Sequence, residues 1–517
     1  PIFHVNADHP QAAVRMIRLA LAYRQRFQRD VVVDLVCYRR WGHNETDEPA
    51  FTQPLMVEKI RAKRSVRKLA TERLLLRDEI DLETAERMLE EFQEYYDRAH
   101  REVRRALEGA LGPSPRPDLE AREGLARAPV DTAVGGARLE MVLEGLSRVP
   151  DGFEPHPKLL RQLRRREERF REDRIDWGTA ELLAFGCLVK EGTPVRLSGQ
   201  DSARGTFSQR HAVLLDHRSA AAHLPLQHIA PEQAPFQVYD SLLSELAVLG
   251  FEYGYSVVRP EALVIWEAQF GDFVNGAQVI LDQYISSAEE KWGQRSSLVM
   301  LLPHGHEGQG PEHSSARLER FLQLASEGNL RIAQPSTPAQ HFHLLRRQAL
   351  AEERKPLVVM TPKSLLRLPA AVSRRDELTG GTFREVIGDE RVADGRRARR
   401  LILTSGKLYY HLAGRRAEGG IDDVALARIE QFYPFPRRQI GSILEEHAEA
   451  RQVVWAQEEP RNMGAWDFLD VRLRELLQRG QELSYLGRPW GASPATGSHA
   501  RHVAEERSIV EEALGSD

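Results

Sequence analysis

The stretch IDWGTAELLAFGCLVKEGTPVRLSG, Ile175 to Gly199, decides how the centre of this chain folds. Its first part reads as a helix and PVRLSG as the strand that follows. Further strand-like runs come after it: LVIWEA, SLVMLL, RIAQPS and, closing the unit, PLVVMTP, with helical stretches between them. Strands that alternate with helices build a largely parallel sheet with helices on its faces. The same alternation returns from RRLILTSG through DVALARIEQFYPFP to QVVWAQEEP, so a third unit is also α/β. It occurs at the start of the chain as well. PIFHV is strand-like, HPQAAVRMIRLALAYRQRF is helical, and DVVVDLVCYRR is a β-branched run of the buried parallel kind that ends in the polar loop WGHNETDEP.

Between these units the chain changes character. DLETAERMLEEFQEYYDRAHREVRRAL is one long helix with Asp81 as its cap. From GPSPRPD to about residue 172 the composition turns to Arg, Pro and Glu, which reads as a linker carrying helical pieces. The chain of 517 residues has room for about three domains. Its net charge of -4 gives no global basic field for nucleic acid, and no apolar run is long enough to span a bilayer. Cys37 and Cys187 lie too far apart in sequence to suggest a disulfide framework, and two cysteines suit a reducing cytoplasm. The chain opens inside a strand-like run without Met and shows no signal peptide, so an N-terminal portion is expected to precede it.

Five stretches carry groups capable of chemistry. LLPHGHEGQGPEHSS, Leu301 to Ser315, holds His304, His306 and His313, two glutamates and three glycines after an apolar run. It reads as a catalytic loop whose histidines act as acids or oxyanion donors, as a metal site, or as a polar turn. In LLSELAVLGFEYGY, Glu245 falls in an apolar helical run; it is either a buried functional carboxyl or an exposed one. IWEAQFGDFVNGAQ places Phe270 and Phe273 three residues apart after a strand, a spacing that suits core packing or a platform for a ring. SGQDSARGTFSQRHAV sets Arg204, Arg210 and His211 in a loop after a strand, where a carboxylate or phosphate could bind, or where the groups simply meet solvent. His43, at a strand end in YRRWGHNETDEP, is by its spacing an ordinary loop histidine.

Together, FHVNADHPQAAV, DLVCYRRWGHNETDEPAFTQPLM, RLSGQDSARGTFSQRHAV, FEYGY, WEAQFGDFVNGAQVILDQYISS, LLPHGHEGQGPEHSSARLERFLQL, PSTPAQHFHLLRRQ, PLVVMTPKSLLR and IEQFYPFP closely resemble the thiamine-diphosphate-dependent first component of 2-oxoglutarate dehydrogenase complexes. The resemblance implies an α/β, transketolase-like thiamine-diphosphate-binding fold, with parallel sheets flanked by helices and an α/β C-terminal domain. Residues 1–110 would be the C-terminal half of the diphosphate-binding domain, 111–172 a helical linker, 173–372 the pyrimidine-binding domain and 373–517 the C-terminal domain.

It further implies oxidative decarboxylation of 2-oxoglutarate, with succinyl transfer to a lipoyl group on the second component of the complex, by a homodimer in the bacterial cytoplasm. Glu245 matches the carboxyl that protonates the pyrimidine ring, a role for which burial that raises its pKa is expected. Phe273 matches the aromatic that stacks on that ring, with Phe270 beside it. His313 matches a substrate-pocket histidine and His43 a loop histidine beside the cofactor, and both are expected to act catalytically by stabilising or protonating the oxyanion formed on the substrate. His304 and Arg204 fall in segments that line the site and are expected to bind substrate.

The family's magnesium signature is a Gly-Asp pair followed by an Asn-rich turn, expected shortly before PIFHV. FGDF and IGDE contain Gly-Asp but lack the asparagines, so the metal ligands are expected upstream of residue 1. On that reading the chain by itself binds thiamine diphosphate poorly and is inactive. The alternatives are a related thiamine-dependent decarboxylase or transketolase-type enzyme, a zinc-dependent hydrolase built on His304, His306 and His313, and a non-catalytic assembly fragment.

Overall fold

In the computed structural model, Asp176 starts the helix of the opening stretch. Its Oδ1 accepts the N–H of Thr179 at 2.9 Å, capping Trp177–Lys190. That helix is buried on every side, including Glu181, because the helix Pro338–Leu350 packs along it and the strand Val195–Gly199 follows it closely. A Cβ on Gly178 would meet the Gln209 carbonyl at 2.2 Å, so glycine here lets the 200–211 loop lie against the helix.

The structure describes residues 1–110, 130–392 and 398–515. The chain forms two units, within residues 1–116 and 117–517. The Arg- and Pro-rich start of the stretch read as a linker lies outside the described residues.

The second unit is built on a seven-stranded sheet. Its order is Gln431–Tyr433, Arg331–Ala333, Leu357–Thr361, Val299–Pro303, Leu263–Glu267, Val195–Gly199 and Phe236–Asp240. All neighbours are parallel except the first pair, in which Gln431 opposes Ala333. The edge strand Gln431–Tyr433 comes from the part of the sequence read as the C-terminal domain, so that domain donates a strand across the expected boundary. A second sheet holds Val386–Ile387, Val424–Ile429, Arg400–Thr404, Gln452–Pro460 and Glu482–Arg488, parallel apart from the first. One apolar core runs from Trp266 and Met300 in the larger sheet to Phe432, Trp455 and Leu469.

On the other face, Leu182, Phe185, Leu197 and Phe342 close a second core. The helices Gly136–Ser147 and Pro157–Arg171, in the stretch read as a helical linker, join that core through Leu139, Val142 and Phe170. They act as a layer over the sheet, because their apolar faces need cover. The strands Phe236–Asp240 and Glu482–Arg488 had no strand-like signal in the sequence reading; charge and Gly-Arg interrupt their apolar pattern.

The first unit has one parallel pair, Ile2–Asn6 and Val32–Val36, in register from Ile2↔Val32 to Asn6↔Val36. The helix Pro10–Phe27 connects them, and the 29-residue helix Leu82–Ala110 closes the described part. Asp81 caps the latter, accepting from Thr84 N at 2.7 Å. Within this unit the apolar side chains of the long helix, such as Phe92 and Tyr96, stay exposed.

Candidate active site

Loops leave the carboxyl ends of the six parallel strands of the larger sheet, which is where open α/β sheets place ligand sites. After Asp240 comes Ser244, whose hydroxyl caps the helix Glu245–Val258. Glu245 is therefore the first residue of that helix. It is half-buried, and Gln200 Nε2 donates to its Oε1 at 3.0 Å. Its other oxygen lies 3.7 Å from where a Cβ on Gly276 would stand, so glycine keeps that side open. The expected deep burial of Glu245 is not found within the chain. Leu242 and Leu243 are each 84% exposed and Leu246 and Phe251 are exposed too, so the apolar run flanks the carboxyl without enclosing it.

After Glu267 the chain turns through Phe270, Asp272 and Phe273, and after Pro303 through the Gly-rich loop to His313. These meet: the His313 ring stands edge-on to Phe270 at 4.4 Å and to Phe273 at 5.9 Å, and the two phenylalanine rings are 5.9 Å apart. A Cβ on Gly271 would clash with Ala316 and the Pro303 carbonyl, so glycine permits this approach of the two loops. From the loop after Gly199, Phe207 packs edge-on to Phe270 at 5.7 Å. From the end of Leu357–Thr361, Lys363 Nζ donates to the His313 carbonyl at 2.5 Å. Phe207, Asp272 and Lys363 were not singled out in the sequence. Lys363 left one signal, a lysine just past the buried strand Leu357–Thr361, which is apolar up to its last residue.

The other candidates are placed elsewhere. His304 has no exposed side chain. Its Nδ1 accepts from Ala316 N at 3.1 Å and its Nε2 pairs with Glu459 at 2.8 Å. Burial lowers its pKa, but Glu459 more than restores it, and the net shift is upward. With both ring nitrogens engaged, His304 has no atom left for substrate. His306 is buried with Nε2 donating to the Pro494 carbonyl at 2.9 Å, and burial with Arg488 nearby lowers it to about 3. Both histidines thus dock the loop onto the C-terminal part of the unit. Among the described residues no group of three or more His, Cys, Asp and Glu is placed to hold a metal, so His304, His306 and His313 form no zinc site.

Arg204 is exposed and pairs with Asp201 at 3.2 Å. Arg210 is fully buried between Glu181 and Glu267, each at 2.7 Å, and His341 reaches Glu181 at 3.2 Å. Burial would raise Glu181, but Arg210 and His341 hold it down at about 2. His43 lies in the first unit, exposed, with its N–H donating to Asp47 at 2.7 Å.

The carboxyl-end loops of this parallel sheet thus bring Phe270, Phe273 and His313 together, and Glu245 heads the helix that follows the edge strand Phe236–Asp240. Residues 173–369 match the transketolase pyrimidine binding domain, 1–110 the dehydrogenase E1 component, and 372–514 the 2-oxoglutarate dehydrogenase C-terminal family. The chain is 47% identical over 526 residues to the multifunctional 2-oxoglutarate metabolism enzyme of Mycolicibacterium vanbaalenii, covering 100% of this chain and 42% of that protein. It is 46% identical over 522 residues to the 2-oxoglutarate dehydrogenase E1 component of Cupriavidus necator, covering 99% of this chain and 55% of that one. Over its length the chain is thus similar to 2-oxoglutarate dehydrogenase E1 components, with a match to a part of that architecture in each of its three stretches. It spans about half the length of the curated relatives it matches. No helix among the described residues is long and apolar enough to cross a membrane.

Proposed function

We propose that this chain carries the pyrimidine-binding and substrate-facing half of a 2-oxoglutarate dehydrogenase E1 active site. The observation that carries the reading is the meeting of Phe270, Phe273 and His313 at strand ends of the larger sheet, with Glu245 heading the helix after the edge strand Phe236–Asp240 of the same sheet. The residues fit a thiamine. Glu245 keeps one oxygen beside Gly276, and Phe273 is half-exposed, with an edge for a flat heterocycle. Bound thiamine diphosphate would supply an electron sink for the pair released when carbon dioxide leaves a 2-oxo acid.

The chain's own part is protonic and positional. Glu245 holds a proton against a ring nitrogen. Phe273 and Phe270 orient the ring and keep water off one side. His313 donates to the oxygen that gains charge when the 2-oxo carbon is attacked. The names of both relatives share 2-oxoglutarate, which supports that substrate over other 2-oxo acids. The E1 name supports a lipoyl-bearing succinyltransferase as partner. The exposed Leu242, Leu243 and Phe251 around Glu245 support a homodimer that buries them. Among the described residues no group of three or more His, Cys, Asp and Glu is placed to hold a magnesium ion.

The test is 2-oxoglutarate decarboxylation by the thiamine-loaded holoenzyme, wild type against Glu245→Gln, with other 2-oxo acids and ketose phosphates as competing substrates. Loss of a positioned proton donor is expected to lower kcat by about 10²–10⁴-fold. Glu245→Gln at wild-type rate, or turnover only of ketose phosphates, would refute the reading.

A further inference from the structure

We propose that Asp272 and Lys363 are positioning residues for His313, fixing the main chain around it so that its ring keeps its place against Phe270 and Phe273. The inference rests on the reading of His313 as part of the decarboxylation site. His313 sits at the end of a loop whose Gly305, Gly308 and Gly310 all have positive φ, at 138°, 70° and 91°. Glycine lets the chain take these angles without steric strain, but it brings no side chain to restrain the ring beside it. His304 and His306 dock the loop at its start, and two side chains on other strand ends restrain the main chain around His313 itself. Asp272 Oδ2 accepts the N–H of Ser314 at 3.1 Å and of Ser315 at 3.0 Å, pinning the chain just after His313. Lys363 Nζ donates to the His313 carbonyl itself at 2.5 Å.

Both side chains are buried, at 5% and 7% exposure. A buried charge is kept only where it is compensated, and here much of the compensation is the main chain that bears His313. Asp272 Oδ1 has no hydrogen-bond partner in the structure, so the carboxylate is committed to the loop through one oxygen alone.

Lys363 also makes the arrangement sensitive to pH. Burial lowers its ammonium to about 8, against the attraction of Glu307, Asp272 and Glu458 and with the repulsion of Lys407. As pH rises through about 8 the charged donor to the His313 carbonyl is lost. The unfolded chain keeps that proton up to 10.5, so between these values the unfolded state binds more protons and this group adds stability as pH rises. Activity and stability therefore move in opposite directions across this window.

The experiment follows kcat, KM for 2-oxoglutarate and the urea midpoint of the holoenzyme from pH 6.5 to 9.5. It compares wild type with Lys363→Met, Lys363→Arg and Asp272→Asn. The His313 imidazole is followed by NMR, its signal assigned with His313→Gln. Lys363→Met should lower kcat by about 10²-fold, as expected for a displaced reacting group, with little change in KM. Lys363→Arg, which does not titrate in this range, should lose the wild-type fall in kcat near pH 8. Asp272→Asn, which keeps an acceptor oxygen, should be milder. The His313 imidazole signal should move in Lys363→Met and stay close to wild type in Lys363→Arg. An unchanged kcat and an unmoved His313 signal in Lys363→Met overturn the proposal. So does a lowered urea midpoint with kcat per folded site intact, which marks a merely structural lysine. If the holoenzyme decarboxylates no 2-oxo acid, the functional reading fails, and the NMR comparison still judges the clamp.

Discussion

The 200–211 loop and the 304–315 loop begin alike. Each leaves the carboxyl end of a parallel strand in the same sheet, each contains glycines, and each carries basic or histidine side chains at that edge. They end differently. In the first, the large cation Arg210 is drawn wholly inward by Glu181 and Glu267, and the loop reaches the aromatic cluster through Phe207. In the second, His304 and His306 are drawn inward by Glu459 and Pro494, and His313 alone is left against Phe270 and Phe273. A charged residue near a strand end is thus free for a ligand only when no buried partner of the protein has already claimed it.

The sharpest way to break this contrast is to remove the claimed cation. Arg210→Met would leave Glu181 and Glu267 buried without their shared partner, and breaking a buried pair from one side costs about 3–5 kcal/mol. The urea midpoint should fall accordingly, and much of the loss should return when Glu181→Gln and Glu267→Gln are added. A midpoint that moves by less than about 1 kcal/mol in the single variant would mean Arg210 is not structural. The complementary change is His313→Ala. It should leave the midpoint nearly in place, because the ring is half-exposed, while kcat of the holoenzyme falls by about 10²–10³-fold from the loss of an oxyanion donor. Retained kcat would remove His313 from the site.

The same contrast explains what was legible in the sequence. Periodicity found the opening helix, Asp176 onward, and most strands of both sheets, because buried parallel strands are nearly all apolar. It missed Phe236–Asp240, which pairs only with Val195–Gly199 at the sheet edge and carries polar residues there. Phe270, Phe273 and His313 were found as a set by the resemblance, and the structure brings them together. Their supports, Asp272 and Lys363, could not be read from spacing, because they act through hydrogen bonds to a loop that is adjacent only after folding. Nor could the fates of His304 and Arg210, whose partners Glu459 and Glu267 lie 155 and 57 residues away.

Arg204 gives the smallest expected effect and the finest test of the comparison. It stands in the same loop as Arg210, six residues earlier, and the sequence offered both as ligand-binding cations. Its partner Asp201 is nearly as exposed as itself, at 47% against 49%, and Arg204 also donates to the Ser208 hydroxyl at 3.2 Å. An exposed pair of this kind contributes about 0–1 kcal/mol, less at high salt. Arg204→Ala should therefore barely move the urea midpoint. If the cation serves only its own loop, KM for 2-oxoglutarate should also stay within about twofold in the holoenzyme, a difference of under about 0.5 kcal/mol. A KM raised tenfold or more would show that Arg204 leaves Asp201 for the substrate carboxylate, and the 200–211 loop would then hold one claimed cation and one free, as the 304–315 loop holds claimed and free histidines.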